Sequence, residues 1–199
     1  GVQSYGMLCS STELGLPKLN DGIMIFDHSI DKLKIGEELS KVAQIADSVF
    51  EVEITPNRGD CLSVRGIARE IAAFYALELK EIDTKKIKES EKGIGRILTL
   101  HSQAKTSANA AFRVFETADL TSKGAMLIDY RLAVIGENGC ANQLQKLSTY
   151  VSHAVGINPS FIGESAFNKV DEKIAIYLDV TKDGIEEIKG KECVLQIGI

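Results

Sequence analysis

From Asp47 to Ile54 the chain alternates, with Val49, Val52 and Ile54 set off by Glu51 and Glu53. β-Branched residues on this spacing predict a strand. Pro56 ends it, because proline has no N–H to give to a ladder. The turn Thr55-Pro56-Asn57-Arg58-Gly59-Asp60 follows, and beyond it the period changes. Val64, Ile67, Ala68, Ile71 and Tyr75 fall on one face of a helix expected over Cys61 to Leu77. Asp60 is the expected N-cap, its carboxylate accepting from first-turn N–H groups and meeting the positive helix end. Gly66 costs that helix roughly 1 kcal/mol relative to alanine, so its presence points to close approach by another backbone.

Elsewhere the pattern is more broken. Gly6 to Cys9 is apolar, Ser10-Ser11-Thr12-Glu13 is a turn or helix start, and Gly22 to Phe26 reads as a strand. Lys80 to Lys92, KEIDTKKIKESEK, is nearly all charge without a sustained apolar face, and marks a domain boundary. Strands are expected over Arg96 to Leu100, Ala111 to Ala118, Lys173 to Val180 and Glu192 to Ile197. Helices are expected over Met126 to Ile135 and Cys140 to Val155. In the second, Leu144, Leu147, Val151, Ala154 and Val155 share a face, and Gly156 is its stop. Strand, strand, helix, helix, strand, strand is the order of an α+β layer domain.

Composition narrows the classes. In 199 residues, 44% hydrophobic, there is enough apolar material for a real core, and a net charge of −5 argues against a generally basic nucleic-acid surface. Cys9, Cys61, Cys140 and Cys193 form no CxxC pair, and His28, His101 and His153 are dispersed, so no metal is expected. No run of 18 apolar residues spans a membrane, and no secretory segment is seen; a cytoplasmic setting is expected. The chain opens without methionine and closes on an apolar run, and so reads as an internal piece of a longer protein. Gly136-Glu137-Asn138-Gly139 is a turn rather than a phosphate loop, and His153 reads as a surface or boundary residue. Arg58, Arg65 and Arg69 are the one basic feature, either neutralised by Glu51, Glu53 and Glu70 or contacting RNA or a neighbouring domain.

Two stretches resemble a known family. ITPNRGDCLSVRGIAREIAAFYAL is similar to a segment marking the β subunit of bacterial phenylalanyl-tRNA synthetase: a strand, T-P-N-R-x-D-C-L-S, then a G-x-A-R-E helix. GVQSYGMLCSSTELGL resembles the end of that family's OB-fold-like tRNA-binding domain. Asn142, Ser148-Thr149-Tyr150-Val151, Gly156 and Ser165-Ala166-Phe167-Asn168 resemble the N-x5-T-N-Y-V helix and G-Q-P-x-H-A-F-D segment of its B3/B4 domain. There the family hydrolyses tyrosine mischarged onto the phenylalanine tRNA.

The resemblance implies an α+β chain: residues 1–82 hold a short OB-fold remnant and a helical B1-like segment, 83–93 a charged linker, and 94–199 part of a B3/B4-like domain. It implies a piece of a ligase that is inactive alone, with no cofactor of its own. The whole enzyme would use ATP and magnesium, contain two α and two β subunits, and bind the tRNA for phenylalanine. Ser148, Thr149 and Ser165 are the editing-pocket candidates by resemblance. The family's histidine is absent, Ser165 taking its place if Ala166-Phe167 is the anchor, and Lys146 stands where the family carries an acidic residue. No hydrolysis of tyrosyl-tRNA is therefore expected. The alternatives are a non-catalytic RNA- or protein-interaction module that kept the B3/B4 fold, and an independent deacylase of mischarged tRNA.

Overall fold

The computed structural model describes residues 1–30, 33–82, 93–102, 110–115, 125–181, 186–191 and 194–197. The chain has the expected α+β composition and divides into two compact units. One unites Gly1–Glu81 with Asp119–Phe161, and the other Ile82–Ala118 with Ile162–Ile199. The charged stretch 83–92 lies outside the described residues.

Among its described residues the first unit carries three α-helices: α1 (Val64–Phe74), α2 (Met126–Val134) and α3 (Gln143–Val155). Its core joins Ile30, Val42 and Ile45 to Met126 and Tyr130 of α2, with Leu16, Met24 and Phe26 packed around them. The partners are distant in sequence. Ala125, at the N-cap of α2, has no capping side chain, but Asp27 Oδ2 accepts from Met126 N at 2.9 Å and Ser29 Oγ from Leu127 N at 3.0 Å. The segment 27–29 thus satisfies helix-end donors that would otherwise be orphans. Tyr130 completes the attachment by donating its hydroxyl to Ile45 O at 2.7 Å.

Two expected strands in this unit are not strands. Along 22–26, Met24 and Phe26 turn inward while Ile23 and Ile25 remain exposed, yet the segment belongs to no ladder. Residues 47–54 likewise lack one, and Val49, Phe50 and Val52 are exposed. Alternation chooses which side chains face inward; a strand also needs a neighbour for its N–H and C=O groups.

Helix ends were more legible. Asn142 caps α3 by accepting from Gln145 N at 2.9 Å, while Gln145 Oε1 accepts from Ala141 N at 2.8 Å. This local exchange starts the helix at Gln143 rather than at Cys140. Gly156 ends it in the left-handed region, at φ 78°.

The second unit is a five-stranded mixed sheet of β1 (Leu98–Ser102), β2 (Asn168–Val170), β3 (Lys173–Val180), β4 (Glu186–Lys189) and β5 (Val194–Ile197). The main path runs β1-β3-β4-β5, β1 parallel to β3 and the other pairs antiparallel. β2 lies against β3 on the edge that β4 also uses, since Ile174 pairs with Leu98 and Lys169 while Leu178 pairs with Ser102 and Ile188. Ile174, Ile176, Leu178 and Ile188 form the core with Ile97, Leu98, Phe112 and Phe167. The strand expected over 111–118 is not one where described: residues 111–115 form no ladder, although Phe112 still packs inward, and 116–118 lie outside the described residues.

Candidate functional site

Between Thr55 and Asp60 the chain reverses tightly. Arg58 N donates to Thr55 O at 2.9 Å, and Cys61 N to Arg58 O at 2.9 Å, forming a short 3-10 turn over Gly59–Cys61. Asp60 is therefore not the cap of the helix. Ser63 takes that place, its Oγ accepting from Gly66 N at 3.0 Å, because the 3-10 turn uses the residues that were expected to begin α1.

The turn is pressed onto α1 at Gly66, where an added Cβ would lie 2.2 Å from the carbonyl oxygen of Asp60 and 3.0 Å from Cys61 Cα. The glycine inside the helix has its close backbone neighbour, as its presence in the sequence implied. Gly156 shows the same economy of space, since a Cβ there would stand 3.2 Å from Ser63 Oγ, where α3 meets α1.

Charge ties the turn to the helix. Arg58 grips Asp60 with two parallel bonds, Nε to Oδ1 and Nη2 to Oδ2, both 3.0 Å. The same Nη2 lies 2.7 Å from Glu70 Oε1 and 3.1 Å from Cys61 Sγ, while Arg69 Nη2 reaches Asp60 Oδ2 at 2.9 Å. Two arginines and two carboxylates leave the cluster formally neutral. The forked hydrogen bonds from Arg58 hold the Asp60 carboxyl far below the usual carboxylate range, and Asp60 and Glu70 in turn raise the guanidinium. Burial pushes the Cys61 thiol up.

Asp60, Cys61 and Glu70 bring three donor atoms within 4.8 Å of one another. They do not fit a metal ion, since the Arg58 guanidinium already bonds to all three and supplies the positive charge. Of the three arginines singled out in the sequence, Arg58 and Arg69 are thus joined through Asp60. Arg65 is half-buried and has no ion pair among the described residues. Glu70 is a partner as expected, but Asp60 binds both paired arginines.

The editing candidates fall in different units. Ser148 and Thr149 lie on α3 in the first, whereas Ser165 sits exposed in a 3-10 turn, Glu164–Ala166, in the second. Ser148 Oγ donates to Pro159 O at 2.5 Å, Ser152 Oγ donates to Ser148 O at 2.9 Å, and Thr149 Oγ1 accepts from Cys140 Sγ at 3.6 Å. The Ser148 and Thr149 bonds tie α3 to its own flanking chain, while the Ser152 bond lies inside the helix. Lys146 pairs with Asp129 of α2 at 2.7 Å, beside a cleft of about 30 Å³ that has room for about one water and is lined by neither Ser148 nor Thr149. His153 is exposed, 3.5 Å from Glu137 Oε1.

No protein-family model matches the chain, and no solved structure matches it. Curated relatives do. The phenylalanine–tRNA ligase β subunit of Campylobacter jejuni is 41% identical over 197 residues, which are 98% of this chain and 25% of that protein. The β subunit of Wolinella succinogenes is 36% identical over all of this chain, and that of Sulfurimonas denitrificans 34% over 96% of it. The chain spans about a quarter of the length of these relatives. Over that quarter, this chain belongs to the phenylalanine–tRNA ligase β-subunit family.

Proposed function

We propose that this chain serves as a segment of the β subunit of a phenylalanine–tRNA ligase, and that its contribution to attaching phenylalanine to tRNA is architectural. The observation that carries this is the match along nearly the whole chain to proteins that all bear that name. The whole enzyme would pair it with an α subunit, take ATP and magnesium, act on the tRNA for phenylalanine and work in the cytoplasm. Residues 1–82 would supply the end of an OB-fold-like tRNA-binding domain and a B1-like joint, and 94–199 part of a B3/B4-like domain.

Within that role the Thr55–Asp60 turn sets a fixed angle between incoming chain and α1. What supports this is the internal use of Arg58 and Arg69, whose charges are met by Asp60 and Glu70. An arginine held this way must give up its carboxylates to bind a phosphate. No editing is assigned to the chain. Ser148 donates its hydroxyl to Pro159 O and Thr149 accepts from the Cys140 thiol, and Ser165 offers no imidazole to assist proton movement; loss of such a group costs roughly a hundredfold or more.

The test uses the full-length protein with its α subunit. Formation of phenylalanyl-tRNA is expected, together with tyrosyl-tRNA hydrolysis no faster than the uncatalysed rate. Failure to charge the tRNA would refute the synthetase role. Hydrolysis above background that disappears in Thr149→Ala would refute the absence of editing.

A further inference from the structure

The turn Gly136-Glu137-Asn138-Gly139, in the connection between α2 and α3, has no part in the proposed role. It is anchored on both sides of its middle. Gly136 N donates to Ala133 O at 3.1 Å and Glu137 N to Leu132 O at 2.8 Å, and beyond the turn the Cys140 thiol lies 3.7 Å from Glu137 O and 3.6 Å from Thr149 Oγ1. Asn138 and Gly139 themselves are exposed, and neither makes a hydrogen bond among the described residues. A side-chain amide and the N–H that follows it thus share one tight turn with nothing else to bind.

That combination is particular to this asparagine. Asn20 Oδ1 accepts from Gly22 N at 2.8 Å, which occupies both the Asn20 side chain and the N–H that follows Asp21. Arg58 N, next after Asn57, donates to Thr55 O at 2.9 Å. Asn142 caps α3, Asn168 lies in the β2 ladder, and Asn158 precedes Pro159, which has no N–H. Of the described asparagines, Asn138 alone precedes a glycine. Without a Cβ, Gly139 leaves the path from its nitrogen to Asn138 Cγ open and can adopt the backbone angles that the approach needs.

We propose that Asn138 is a site of spontaneous deamidation. Gly139 N attacks Asn138 Cγ and gives up its proton; the N–Cγ bond forms, the Cγ–Nδ2 bond breaks, and ammonia leaves with that proton, closing a succinimide ring. Water then opens the ring. Addition at Cγ leaves an aspartate, and addition at the main-chain carbonyl leaves an isoaspartate, so that in sum water enters, ammonia leaves and nothing is oxidised or reduced. Either product carries a new carboxylate. It arises beside a cleft that Asn138 lines together with Lys18, Asp129, Glu137 and Lys146, where it competes with Asp129 for the Lys146 ammonium, now paired at 2.7 Å. The modification adds negative charge where α2 is paired to α3.

The experiment incubates the full-length protein near neutral pH and follows its asparagines by peptide mass spectrometry, with fragmentation separating Asn138 from Asn142. Residue 138 is expected to become about one mass unit heavier ahead of the other asparagines, and labelling by an isoaspartyl methyltransferase to grow at the same position. Gly139→Ala is expected to slow both by about tenfold or more. A Cβ at 139 meets nothing within 4 Å, so this variant keeps its fold, and unchanged thermal unfolding checks that. An Asn138 that stays intact, that changes no faster than the other asparagines, or that changes equally fast in Gly139→Ala would overturn the proposal. None of these readouts depends on the synthetase role.

Discussion

At the scale of single residues, Gly66 sets how closely the Gly59–Cys61 turn can approach α1. Gly66 was readable as a site of backbone approach because a glycine inside a strong helical pattern has a cost that something must offset. Ordinarily Gly→Ala inside a helix gains about 1 kcal/mol. Here Gly66→Ala is expected to lose about 1 to 3 kcal/mol in urea unfolding, since its Cβ would meet the Asp60 carbonyl at 2.2 Å. A stabilised variant would remove the close approach from the account. The cap was misassigned because Asp60 and Ser63 are both good capping residues, and only the 3-10 turn between them decides. Ser63→Ala should cost about 1 kcal/mol. Asp60 acts through charge instead. Its folded carboxyl titrates far below its ordinary value of 3.8. The stability it contributes is therefore complete above pH 4 and is lost as pH falls through the folded value. Asp60→Asn should flatten the acid side of the stability profile, and an unchanged profile would contradict the ion-pair network.

Elements were legible where their signals are local. α1 and α3 declare themselves through periodicity, and the Gly156 stop and Asn142 start of α3 lie within four residues of what they act on. What failed needs a distant partner. Residues 22–26 turn alternate side chains inward while 47–53 lie exposed, and neither forms a ladder, since sequence spacing says nothing about the neighbouring strand. β2 is not legible in the sequence for a related reason: its turn into β3 places Asp171 and Glu172 at φ 50° and 64°, where Asn-Gly is the usual signal. Glu172→Gly is expected to raise stability by up to about 1 kcal/mol by removing the left-handed strain, as thermal unfolding would show. The start of α2 is held from almost a hundred residues away, by Asp27 and Ser29. Asp27→Ala should cost about 1 kcal/mol and speed exchange of the Met126 and Leu127 amides, with α3 unaffected. Equal exchange in both helices would mean that the cap is not what orders α2.

For the whole molecule, the family was written in a few short motifs, while the use of its residues was not. Arg58, Arg65 and Arg69 look alike in the sequence. In the structure two are bound to Asp60 and Arg65 has no ion pair among the described residues, a distinction set by a turn whose geometry no motif specifies. The candidate editing hydroxyls were found by resemblance, yet their bonding to Pro159 and Cys140 depends on how the chain leaves and enters α3. The central claim is that the paired arginines hold the turn on α1 rather than the tRNA. Its most direct measurement is the salt dependence of tRNA binding by the full-length enzyme carrying Arg58→Ala or Arg69→Ala, with thermal unfolding of the same proteins. An architectural role gives a lower unfolding temperature and an unchanged slope of log affinity against log salt. A slope smaller by about one for each arginine removed, with the unfolding temperature unchanged, would contradict it.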